Sequence, residues 1–134
     1  MVILPSDHRL AALKAVSPRD LVGETFVIVS GTAPVLRAVI NNYLKRSRIN
    51  ITPAHEADNV TMGLSLIVST RGVGLLPAYT QNFLPSSVTS RPLKGYTPTV
   101  DLVLGYKKSN DSPILKLLLS RLDELIARVS RKAH

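Results

Sequence analysis

Small polar residues that could contact a ligand lie where a predicted strand gives way to a helix. The run Phe26–Val29 is apolar without alternation, which is typical of a strand buried on both faces of a parallel sheet. Thr32 is in position to cap the helix that follows, and Pro34 suits its first turn, where a missing N–H costs nothing. Helix amino termini attract anions, so residues 30–35 are a candidate ligand contact. The alternative is that they only turn and cap the chain.

Two further helix starts follow predicted strands. Asp58 or Asn59 can cap a helix that ends at Arg71-Gly72, and Pro77-Ala78 opens a weaker helix after a strand over residues 73–76. The carboxyl ends of parallel strands meet at one edge of a sheet, so all three helix starts should lie along that edge. Converging helix amino termini favour a small carboxylate, although every sheet of this type has such an edge whether or not it binds anything.

Catalytic motifs of useful specificity are absent from the sequence. Gly63-Leu64-Ser65 lacks the final glycine of a nucleophile elbow and lies within a predicted helix. Residues 72–77 hold two glycines of a dinucleotide fingerprint but enter a strand, and no nucleophile accompanies His55-Glu56. The three histidines are widely spaced and there is no cysteine. We therefore predict no catalytic residue, no metal and no cofactor.

The composition indicates a single domain that acts inside the cell. A length of 134 residues with 45% apolar content suffices for one core, and no apolar run approaches the ~18 residues of a membrane span. The amino terminus lacks the features of a signal peptide, which predicts a cytoplasmic protein. The net charge of +8 is scattered, and the 4% aromatic content offers no platform for stacking bases. Direct DNA binding by this segment is not expected.

The order of predicted elements, β-α-β-α-β with short links, indicates a right-handed α/β sheet. Helices are predicted over residues 33–47, from about residue 60, and from Ser112-Pro113 to about Val129, the last with a single apolar stripe that something must cover. The second of these is apolar on more than one face, which predicts a largely buried helix. Strands are predicted over residues 2–4, 26–29, 49–52, 73–76, 88–93 and 99–106.

Several segments together resemble the effector-binding domain of LysR-type transcriptional regulators, in that family's order and spacing over almost the whole chain. Residues 30–36 and 77–81 are most similar to regulators of aromatic-acid catabolism. The segments are Leu4-Pro5-Ser6-Asp7-His8-Arg9-Leu10-Ala11, residues 20–27, residues 71–78, Arg91-Pro92-Leu93 and Ser112-Pro113.

The resemblance implies a fold like that of type 2 periplasmic binding proteins, with a small-molecule effector held between two lobes. One complete three-layer α/β/α lobe would comprise residues 18–98. Residues 1–17 would end the first lobe and cross over, and residues 99–134 would return to it. The implied effector contacts are Ser30, Thr32, Ala33, Pro34, Asp58, Asn59, Pro77 and Ala78.

The resemblance also implies that part of a regulator is missing from this chain. The family's amino-terminal winged helix-turn-helix and most of its first lobe have no counterpart here. We therefore expect no enzymatic activity, no operator binding, weak effector binding by this chain alone, and association with itself or with a full-length regulator. The alternative is a free-standing small-acid-binding protein or enzyme on the same α/β scaffold.

Overall fold

The computed structural model describes residues 1–29, 33–100 and 103–132, and the side chains up to residue 127. The chain divides into two compact units, Met1–Asp101 and Leu102–His134. No helix in the described ranges is both long and apolar enough to cross a membrane.

The described part of the first unit is built on a five-stranded sheet in the order β3-β2-β4-β1-β5. Strand β2 runs parallel to β3 and β4, whereas β1 runs antiparallel to β4 and β5. The predicted α/β sheet is confirmed. The strands are β1 (Val2–Pro5), β2 (Phe26–Val29), β3 (His55–Ala57), β4 (Val73–Leu75) and β5 (Val88–Arg91).

Two long helices follow the parallel strands. Helix α1 is Pro34–Arg46 and helix α2 is Val60–Thr70, and short 3-10 helices span Arg9–Ala12, Pro18–Leu21 and Ala78–Phe83. The second unit contains α3 (Pro113–Ser120) and α4 (Leu122–Lys132).

The sheet is covered on both faces. Successive side chains of a strand point to opposite sides, so one strand contributes to the buried cluster on each face. Phe26 and Ile28 of β2 belong to one buried cluster, together with Ile40 and Tyr43 of α1. The intervening residues Val27 and Val29 belong to a second buried cluster with Leu64 and Ile67 of α2. Helix α1 therefore covers one face and α2 the other, which gives the three-layer lobe expected from the resemblance.

The ends of α2 follow from local chemistry. The side-chain oxygen of Asn59 accepts a hydrogen bond from the Met62 N–H at 2.9 Å and caps the helix, as one of the two predicted alternatives. Arg71 ends it in a left-handed conformation with φ 54°. Gly72, which follows, is needed for a different reason: a Cβ there would lie 2.6 Å from the Thr25 carbonyl oxygen.

Two predictions for the first unit are wrong. Residues 49–52 form no strand. The edge strand is β3, because Pro53 has no N–H for a ladder and pairing with β2 starts only where the Ala54 N–H reaches the Phe26 carbonyl. Helix α2 is not largely buried, since Met62 and Val68 are 42% and 40% exposed. Its buried residues form a single face.

The second unit also departs from the sequence prediction. The described members of residues 99–106, a stretch that spans the boundary between the two units, form no strand and are exposed, and Val103 is 81% exposed. Asp101 and Leu102 lie outside the described residues. The single helix predicted from Ser112-Pro113 breaks at Arg121, whose N–H bonds to the Leu118 carbonyl three residues back. Such a tightened last turn is common where a helix ends.

Candidate functional site

The predicted site residues follow three neighbouring parallel strands. Strand β2 lies between β3 and β4 and runs parallel to both, so all three end at the same edge of the sheet. Beyond their last residues, Val29, Ala57 and Leu75, the chain turns into α1, α2 and the 3-10 helix Ala78–Phe83. The topology therefore brings the described members of the predicted site to one edge.

The first of these connections leads into α1. Ser30 and Thr32 lie outside the described residues. The cap position belongs to Ala33 rather than Thr32, because α1 begins directly at Pro34, and Ala33 makes no side-chain hydrogen bond to the helix. Ala33 packs against the cluster on the α2 side of the sheet, while Pro34 is exposed. The start of α1 therefore lies at this edge, where the first N–H groups of a helix can donate to an anion.

The second connection contains Asp58 and Asn59, both exposed. The side-chain oxygen of Asn59 is already engaged as the cap of α2, so only its amide NH₂ is available to donate to a ligand. The predicted capping of α2 is confirmed for Asn59.

The third connection opens onto an apolar groove of about 360 Å³, which we call the α1 groove. Pro77 and Ala78 form part of one wall, and α1 supplies another through Leu36, Val39, Ile40 and Tyr43. Such a volume falls within the ~300–1,000 Å³ of small-molecule sites. The other lining residues are Met1, Leu75, Leu76, Tyr79, Leu93 and residues 97–100.

The α1 groove offers an apolar environment with few polar groups. Burial raises the pKa of the Tyr43 phenol, which the side chain of Ser47 offsets in part, so this residue is uncharged at neutral pH. A charged ligand group would be poorly solvated in such surroundings. The arrangement can therefore accept a hydrocarbon or aromatic body, while a carboxylate would need the N–H groups at the start of α1.

An ion pair lies between the elements that border this edge. The Arg37 guanidinium, in the first turns of α1, donates to both carboxylate oxygens of Glu56 in β3, at 3.2 and 3.1 Å. The nearby cation at the start of α1 is therefore already paired. Among the described residues, no group of three or more His, Asp or Glu side chains could hold a metal ion.

Sequence reasoning missed the α1 wall of the groove. Leu36, Val39, Ile40 and Tyr43 repeat at helical spacing, which predicts a helix but not what its apolar face contacts. Ile40 and Tyr43 are buried, but the same stripe also lines the groove. The sequence contains no signal that separates the two roles, because the groove depends on where residues 97–100 return.

Comparison with known proteins places the chain in a family. The sequence model of the LysR substrate binding domain matches residues 1–127. The chain therefore belongs to the LysR substrate-binding domain family. It is 32% identical over 135 residues to HcaR, the Hca operon transcriptional activator of Escherichia coli K12. That match covers 97% of this chain and 44% of HcaR, so the chain spans less than half the length of this relative.

Solved structures share the fold. The BenM effector binding domain with its effector benzoate matches with a TM-score of 0.64 and 26% identity, over 71% of this chain and 44% of that one. A putative LysR family regulator from Pseudomonas aeruginosa matches with a TM-score of 0.71 and 18% identity, over 93% and 44% of the two chains. The QuiR effector binding domain in complex with shikimate matches with a TM-score of 0.61 and 16% identity, over 72% of this chain and 46% of that one. The last two show the fold alone.

Proposed function

We propose that this chain senses a small organic acid as the effector-binding part of a LysR-type transcription regulator. The observation that carries the proposal is the α1 groove, which opens beside Pro77 and Ala78 at the edge where three parallel strands end. Family membership supports it, as do two relatives: HcaR is an operon activator, and BenM binds benzoate as its effector.

The proposed effector has a carboxylate at one end and an apolar body. The carboxylate accepts hydrogen bonds at the start of α1, from the segment that contains Ser30, Thr32, Ala33 and Pro34. The body lies in the α1 groove against Pro77 and Ala78. Asp58 and Asn59 border the site from the neighbouring connection, where the Asn59 amide is a donor for a second polar group.

The proposed signal is a change in the relative position of two lobes. A ligand shifts such an equilibrium only by the difference between its affinities for the two states. We assign residues 18–98 to one lobe and residues 99–134 to the return into the other. Because β1 pairs with β4 and β5, we assign residues 2–5 to the same lobe as residues 18–98.

The remaining roles in a regulator follow from this assignment. We propose that DNA contact belongs to a helix-turn-helix head of the intact regulator and not to this domain. The domain works in the cytoplasm, without enzymatic activity, as part of an oligomer. HcaR supports this proposal, because it is a transcriptional activator.

A titration of the ¹⁵N-labelled chain with benzoate tests the proposed site. We expect shifts of the amide signals of residues 33–40 and 78–80, with a dissociation constant of about 1 mM or weaker because one lobe alone contributes contacts. Shifts confined to other residues, or no shifts up to about 10 mM, would count against effector binding at this edge.

A substitution that fills the groove tests the assignment, and the same substitution outside the groove is its control. Ala78 and Ala12 are both exposed alanines in 3-10 helices, but only Ala78 lines the groove. Ala78→Phe should abolish the benzoate shifts, and Ala12→Phe should leave them unchanged. Equal binding by both variants would contradict the assignment of the groove.

A further inference from the structure

The Arg37–Glu56 ion pair joins α1 and β3, two of the elements that border the proposed site. Arg37 follows Pro34 within the first turns of α1, and Glu56 lies two residues before Asp58. We propose that this pair is a clamp that holds β3, and with it Asp58 and Asn59, against the start of α1 and so sets effector affinity. The affinity part of this inference rests on the proposed function; the positioning part does not.

The geometry of the pair fixes direction as well as distance. Nη1 of Arg37 donates to one Glu56 oxygen at 3.2 Å and Nη2 to the other at 3.1 Å. Two parallel hydrogen bonds from a planar guanidinium orient both groups, which a lysine ammonium cannot do. The clamp therefore specifies the position of β3 relative to α1 more closely than a simple charge contact would.

The strand that the pair holds is short and partly exposed. Strand β3 is three residues long, lies at the edge of the sheet and pairs, among the described strands, with β2 alone. His55 and Glu56 are exposed, so Ala57 is its single buried residue. A short strand with so little burial is prone to local opening, and an added contact at its centre has a proportionately large effect there.

The effect of the pair should be local rather than global. The Arg37 and Glu56 side chains are 41% and 53% exposed, and ion pairs with such exposure contribute little to overall stability. Removing the pair should leave the unfolding transition almost unchanged while β3 and the following connection open more often. If these residues only stabilised the fold as a whole, their removal would lower the unfolding midpoint and increase the opening of β3 together.

A second ion pair provides the control. Arg71 donates to Asp7 at 2.9 Å, and both side chains are more than half exposed. Asp7 follows the end of β1, which runs antiparallel to β4, so this pair lies at the opposite edge of the sheet. Glu56→Gln and Asp7→Asn therefore make the same chemical change, carboxylate to amide, at the two edges.

Hydrogen exchange of the purified chain tests the clamp directly. We expect Glu56→Gln to raise the exchange rates of the amides of residues 55–59 about two- to fivefold, and Asp7→Asn to leave them unchanged. The exchanged pair, Arg37→Glu with Glu56→Arg, should restore slow exchange, and Arg37→Lys should not. Unchanged rates in Glu56→Gln, or equal rises in both amide variants, would overturn the proposal.

Benzoate binding tests the link to effector affinity. We expect Glu56→Gln to weaken the dissociation constant about two- to fivefold, with restoration by the exchanged pair and no effect of Asp7→Asn. If Glu56→Gln speeds exchange but binds benzoate as well as the natural sequence does, the clamp does not set affinity. If the natural sequence does not bind benzoate, the proposed function fails with this ligand, while the exchange rates still decide whether the clamp exists.

Discussion

Arg71 and Gly72 divide between them two tasks that one glycine often performs. The helix was predicted to end at this dipeptide, and the residue that adopts the left-handed conformation there is Arg71, with φ 54°. Gly72 provides space instead, since the Thr25 carbonyl and the Thr70 hydroxyl would lie 2.6 and 2.9 Å from an added Cβ. The stop was predictable from local preferences. The closest approach was not, because it comes from the Thr25 carbonyl, which precedes β2 and is more than forty residues away in the sequence.

Gly72→Ala should therefore destabilise the chain by about 1–3 kcal/mol, because a backbone carbonyl cannot move aside cheaply. Gly105→Ala is the matched control, since nothing lies within 4 Å of its Cβ position and its φ is not positive. We expect urea unfolding to show a lower midpoint for Gly72→Ala alone. Equal midpoints for the two variants would contradict the steric account.

At the scale of elements, helix caps show how far local signals reach. Asn59 caps α2 with its side chain, whereas Ser112 occupies the cap position of α3 without a side-chain hydrogen bond. Both residues are good caps by type, and the sequence does not distinguish them. The predicted starts of α1, α2 and α3 are confirmed to within a few residues, while residues 49–52 were misassigned. Their alternation fits a strand, but Ile49 and Ile51 pack on the α1 side of the sheet without pairing.

Asn59→Ala should lower the free energy of unfolding by about 1 kcal/mol through the loss of its hydrogen bond to the Met62 N–H. Ser112→Ala should change it by only a few tenths of that, because no bond is lost. Thermal or urea unfolding measures both. A Ser112→Ala effect as large as that of Asn59→Ala would show that the two caps are equivalent in solution.

At the scale of the molecule, the apolar stripe of the second unit is exposed, although its sequence predicts that the stripe is covered. Its apolar stripe was predicted, and so was its need for a cover, but α3 has no buried residue among those described. Ile114 is 79% and Leu117 56% exposed. The α/β class of the first unit could be predicted because strand and helix periodicities are local. The α1 groove could not, because it joins residues from both ends of that unit.

Exposed apolar helix faces favour association, since such patches seldom remain hydrated. We expect sedimentation of the chain at about 100 μM to show species larger than a monomer, and Ile114→Lys with Leu117→Lys to shift them toward the monomer. Val22→Lys is the control, because Val22 is an exposed apolar residue of the first unit. A strict monomer for the natural sequence would exclude association through α3.

The pairing of β1 has a consequence for synthesis. The partners of Val2, Leu75 and Arg91, follow it by roughly 70 and 90 residues. At a synthesis rate of ~5–20 residues per second, they emerge from the ribosome several seconds after Val2. During that interval an apolar strand, which in the finished fold is buried from Val2 to Pro5, has neither neighbour to pair with. We expect chaperones that shield hydrophobic segments to bind nascent chains of this domain, and the yield of folded protein to depend on translation speed across residues 5–91.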